Sequence, residues 1–248
     1  MRTPVTLMLM FAVLGLRADG ASELKGALAR LAGHTPVRGT LDLKRTTRNG
    51  EGKDLVERVG LASAWVEDGP QGLRVSWDRG LLGRAQQEAR ALRRDPDART
   101  PATLGLGALS ARVVAEQVHA AEGLASQLEH ATVVSEVPEP WKGRPARKLT
   151  FELSLKSVNG RDRKYVKEFA GTTQVWIEED GTPLAALTKT RLKGRAFLVV
   201  TFNQEQEESA AFQRIGDRLV CLRLESSSSG SGAGEKGGTH SLTTFTVQ

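Results

Sequence analysis

The chain has 248 residues, 39% of them hydrophobic, with 35 Lys and Arg against 29 Asp and Glu for a net charge of +6. That supplies enough apolar side chain for one large domain with its own core, and the basic excess is too mild to point to nucleic acid rather than a solvated surface. The single cysteine, Cys221, excludes an internal disulfide and lies in the apolar run Leu219 to Leu224, where a packed core thiol is expected.

Arg2 is the one charged side chain before the uncharged run Val5 to Leu16, and the small residues Ala18 and Gly20 follow with one residue between them. A basic start, a short apolar core and paired small residues make up a secretory signal peptide, expected over residues 1–20. The run is shorter than the roughly 20 apolar residues that span a bilayer, and no later stretch reaches that length. The mature chain, residues 21–248, is therefore expected as a single domain, periplasmic or secreted, with no transmembrane segment.

Leu24, Ala27, Leu28 and Leu31 recur at helical spacing, so the domain opens on a short amphipathic helix. Val37, Gly39, Leu41 and Leu43 then alternate with polar residues as a half-buried strand. Asn49-Gly50 signals a turn into a second strand, which carries Val59, Leu61, Ser63 and Trp65 on one face. After Asp68-Gly69-Pro70, Leu73, Val75 and Trp77 form a third.

Residues 80–131 lose the two-residue period and take up a helical one, so a helical insertion is expected there. Thr100-Pro101 marks one helix start, and Gly105, Gly107 and Gly123 predict a break into two or three pieces. Alternation returns at Val133 and continues through Leu149, Phe151, Leu153 and Leu155, the Val175-Trp176-Ile177 strand, and strands near 184–193, 196–206, 209–215 and 218–225. Residues 226–239 have flexible-linker composition and predict a long loop, with a last strand over Leu242 to Val247. The fold class is mainly β with α: about ten strands in a strongly curved antiparallel sheet or incomplete barrel, an N-terminal helix, and inserted helices closing the concave side.

This element order, with the hairpin segment Trp176-Ile177-Glu178-Glu179-Asp180-Gly181-Thr182-Pro183-Leu184, resembles the periplasmic outer-membrane lipoprotein carrier superfamily. The resemblance implies an incomplete antiparallel barrel with helices at its mouth, an apolar interior for acyl chains, and no catalytic residues.

The motifs of an enzyme are missing: there is no G-x-S-x-G elbow, no phosphate-cradling loop and no cysteine pair for zinc. Glu178 and Glu179 are adjacent and point to opposite faces of a strand, unlike a working carboxylate pair. His119 lies between Glu116 and Glu122 at three residues each way, which reads as a polar helix face rather than a metal site. The basic runs Lys142 to Lys148 and Arg161 to Lys167 are expected at opposite rims of the sheet, not in one nucleic-acid-binding patch. No catalytic residue, cofactor or metal is expected.

What remains is the apolar strand face, where Trp65, Trp77, Phe151, Leu153 and Phe197 are the candidate ligand-binding residues. The expected function is non-enzymatic binding of an apolar ligand, such as a lipid, a lipoprotein acyl chain or an acylated peptide, in a concave half-barrel. The alternative is an interaction or structural module for an envelope protein partner, with the concavity plugged by its own helices.

Overall fold

A computed structural model of the protein describes residues 20–248 except 159, 197–199 and 233. All of the expected signal peptide 1–20 except Gly20, and the candidate Phe197, lie outside the described residues. Helix α1 (Gly20–Arg30) leads into a meander of β1 (Val37–Asn49), β2 (Val56–Gly69) and β3 (Gly72–Trp77). Four helices follow, α2 (Arg79–Leu92), α3 (Pro101–Ala108), α4 (Ala111–Val118) and α5 (Ala120–Leu128). The chain then runs through β4 (Thr132–Pro138), β5 (Arg147–Glu152), β6 (Val166–Ile177), β7 (Pro183–Ala196), β8 (Val200–Ile215), β9 (Arg218–Gly232) and β10 (Glu235–Val247).

These strands form one ten-stranded antiparallel sheet in the order β3-β2-β1-β10-β9-β8-β7-β6-β5-β4. Within each of the two meanders consecutive strands pair, and β1 with β10 joins the meanders. The edges β3 and β4 do not pair with each other, so the sheet is an incomplete barrel, as the alternating segments predict.

All the packing of the helices is against one face. Along the ladders that face carries Leu41 opposite Ala64 and Phe245, Leu43 opposite Ala62 and Thr243, and Ala186 opposite Val175 and Ala210. Two cores result. In one, α1 and α5 cover Leu149, Phe151, Val175, Ile177, Leu219 and Cys221; in the other, Leu81, Ala102, Leu109, Val114 and Val118 from α2–α4 and the α3–α4 link cover β1, β2 and Phe245.

Three expectations are corrected. On β2 the buried face is Ala62, Ala64, Val66 and Asp68, so Leu61 and Trp65 belong to the opposite face. The small alanines stand across from Leu41 and Leu43 and leave room for α3, where a side chain on Gly105 would lie 2.2 Å from the Leu61 carbonyl oxygen. The helical insertion does break into pieces, but at Ser110, whose hydroxyl accepts from Val113 N–H, and at His119, whose backbone is not helical (φ −116°, ψ 46°). The glycines stay inside helices. Finally, the tract expected as a loop over 226–239 is largely strand: Ser226 to Gly232 pair with β8 on one side and with β10 on the other. Serine and glycine favour flexibility only when nothing pairs their backbone, and here both neighbours are long strands.

Candidate ligand cavity

Between α4–α5 and strands β7–β9 lies a cavity of about 310 Å³. Its floor follows from register. Ala186, Ala210 and Leu224 stand side by side on the helix-facing side of β7, β8 and β9. Ala211 pairs with Arg223 but Phe212 pairs with Cys221, so Leu222 is an extra residue in β9, a bulge. The bulge turns Cys221 to the same face as Phe212; without it, alternation would point the thiol away. Beyond Thr244↔Arg223 the ladder with β10 stops, and residues 218–221 are buried on both faces.

The roof is Gln117, Ala120, Gly123 and Leu124. The space exists because Ala186 and Ala210 below and Ala120 and Gly123 above are small where leucines would fill it. At the rim stand Glu116, Ser126, Gln127, Thr188 and Glu208. Gln127 Nε2 donates to Thr188 Oγ1 at 2.7 Å, and the Thr188 and Thr173 hydroxyls lie 3.1 Å apart.

Glu208 is distinct from the carboxylates beside it. Glu205 and Glu207 point to the other face and pair with Arg191 (2.8 Å) and Lys189 (3.0 Å). Glu208 points toward the helices and has no cationic partner among the described residues. Burial, and then the charge of Glu116, push its carboxyl above the ordinary range. Glu116 itself is exposed and pairs with Arg112 at 2.8 Å. Gln117 is 1% exposed, and neither its amide nitrogen nor its amide oxygen has a hydrogen-bond partner among the described residues. Buried amide groups are ordinarily satisfied, so this one is a deficit that a bound group could fill. The Cys221 thiol donates to the Arg223 carbonyl (3.3 Å), and burial pushes it up to about 12.

The candidate residues taken from the sequence do not form this site. Trp65 is half-buried on the face away from the helices. Trp77 faces them and packs beside the β1–β2 core, with its indole N–H buried and without a partner among the described residues. Phe151 is core under α1 and α5, and Leu153 is buried near Gly171. None of these four lines the cavity. Sequence reasoning missed Gln117, Glu208, Ala210 and Phe212. Glu208 ends the polar run Glu205-Gln206-Glu207-Glu208, in which nothing marks the residue that faces inward.

His119 has a different partner from the glutamates flanking it in sequence. Its Nε2 lies 3.1 Å from Asp68 Oδ2, the same oxygen that takes Arg218 Nη1 at 2.5 Å. Three of the four cations of the first basic run are paired, Arg144 with Glu178, Arg147 with Glu23 and Glu136, and Lys148 with Glu139, while Lys142 lies 4.8 Å over the Trp141 ring. Arg147 stands opposite Ile177 at one end of β6 while the second run leads into the other end, so the two runs are at opposite rims.

No described helix is long and apolar enough to cross a membrane. No family model, curated protein or solved structure matches the chain.

Proposed function

We propose that the protein is an exported, non-enzymatic binding protein that holds an apolar ligand in the cavity between α4–α5 and β7–β9. The observation that carries this reading is the cavity itself: an alanine, phenylalanine and leucine floor, a rim of polar groups, and a buried amide on Gln117 without a partner among the described residues. Ligand sites in proteins have this composition, an apolar body with a few polar groups that fix orientation, and fill about 300–1,000 Å³. At about 310 Å³ the volume is at the lower end, which suits a single short chain or the end of an acyl chain rather than a whole two-chain lipid. Export rests on the pattern of residues 1–20.

A second reading has its own support. The two cores occupy much of the helix-facing side and hold Phe151. A module that only presents its surface to an envelope protein partner needs nothing more. Native mass spectrometry of the protein purified from its own host, followed by solvent extraction, separates the two. The binding reading expects a small apolar molecule at one per chain, lost in an Ala210→Leu variant that fills the cavity and keeps its fold. An apo mass with no shift on adding single-chain lipids leaves the module.

A further inference from the structure

The rim of the cavity has a charge character that narrows the ligand. The side chains lining it include no Lys, Arg or His, while Glu208 and Glu116 face the opening from the sheet and from α4. Gln127 and Thr188 put an amide and a hydroxyl beside them. Behind the rim, Gln117 is 1% exposed and its amide has no partner among the described residues. We propose, building on the binding reading above, that the cavity takes a single-chain organic cation: a primary ammonium group at Glu208, with its alkyl part on Ala210, Phe212, Leu224 and Leu124.

The chemistry runs in one direction. An ammonium is donor-only, and it needs acceptors and negative charge, which is what the rim offers. A carboxylate or phosphate head would be brought beside two carboxylates in a partly buried place, where like charges repel more strongly than in water. Glu116 is partly offset by Arg112, so Glu208 is the principal counter-charge. It faces the helices on β8 with no cation of its own among the described residues, and a bound ammonium would supply the missing partner. The chain as a whole is basic, at +6, so nonspecific attraction would favour anions and cannot mimic this preference.

The test is calorimetric titration of the full chain at pH 7 with octylammonium, 1-octanol and octanoate, three probes sharing one alkyl length. The expected order is octylammonium tightest, octanoate weakest, and at least tenfold between them. Glu208→Gln should bring octylammonium level with 1-octanol. Glu116→Gln, at an exposed position, should lower the preference only two- to threefold. If octanol or octanoate binds as tightly as octylammonium, or if the octylammonium preference survives Glu208→Gln, the cationic assignment is overturned while the cavity reading stands. If none of the three binds, both fall together.

Discussion

Cys221 shows how far one side chain can be read from its neighbours. Its apolar surroundings in sequence predict a buried thiol, and the structure buries it, with the thiol pushed up to about 12. At pH 8 a buried thiol pushed that far up stays protonated, so native protein should resist iodoacetamide for hours while urea-unfolded protein reacts within minutes. Fast labelling of the native state, followed by intact mass, would contradict the burial. Glu208 carries a prediction of opposite character, because its carboxyl is pushed up by burial and by Glu116. A folded-state value above the unfolded one means that the folded protein keeps a proton that the unfolded chain has released. Stability is then lost as pH rises from the ordinary carboxylate value through the raised one. Glu208→Gln should accordingly raise the melting temperature at pH 7, and the gain should vanish by about pH 3, where the carboxyl is protonated in both states. A lower melting temperature at pH 7 would show instead that the charge is compensated. No sequence pattern isolates Glu208, since its inward direction is set by pairing with Thr188 and Ser226 across two ladders.

Elements were legible wherever polarity and side-chain size gave the same answer. In β1, Leu41 and Leu43 are both the larger and the buried residues, and alternation gives the right face. In β2 they conflict. Leu61 and Trp65 carry far more apolar area than Ala62 and Ala64, yet the alanines face the helices because α3 approaches too closely for anything larger. Local space decides what two glycines do. Gly83 in α2 has nothing within 4 Å of where a side chain would begin, so Gly83→Ala should stabilise by about 0.5–1 kcal/mol through lost unfolded-state freedom. Gly105 in α3 would drive its methyl into the Leu61 carbonyl at 2.2 Å, and Gly105→Ala should cost about 1–3 kcal/mol despite the better helix propensity. Urea denaturation of both variants tests the pair, and a stabilising Gly105→Ala would mean that α3 does not dock on β2 as described. The start of α3 makes a related point. Thr100 precedes Pro101 as expected, but the first N–H groups are taken by Glu88 of α2, at 3.0 Å to Ala102 and 2.7 Å to Thr103. A cap supplied from another helix leaves no local signature.

At the scale of the whole molecule, the meander order was readable from the turn signals, but the joining of β1 to β10 was not, because it pairs residues some 200 positions apart. That pairing makes β9 and β10 central strands and converts the serine-glycine tract into ladder. The sheet stays open with short edges, six residues in β3 and seven in β4, which limits unwanted strand addition. Arg218 ties distant parts together: its guanidinium bonds Asp68 of β2 at 2.5 Å, with both side chains at most 5% exposed. Removing one partner strands a buried charge, so Arg218→Ala should cost about 3–5 kcal/mol in urea denaturation. A loss under 1 kcal/mol would show that water, or His119 at 3.1 Å, compensates Asp68. The β9–β10 hairpin gives a separate test, because composition and topology disagree there. A flexible loop of Ser226 to Gly232 would exchange its amide hydrogens at the rate of an unfolded peptide. As a strand paired to both β8 and β10, the segment has its amides engaged in backbone ladders that open only when the sheet does. Hydrogen–deuterium exchange with mass spectrometry should find peptides over 226–232 and 235–243 protected by at least a hundredfold, comparable to β8. Protection in β8 with none in the tract would restore the loop and make β8 an edge, leaving Glu208 and Ala210 on a strand unsupported on one side.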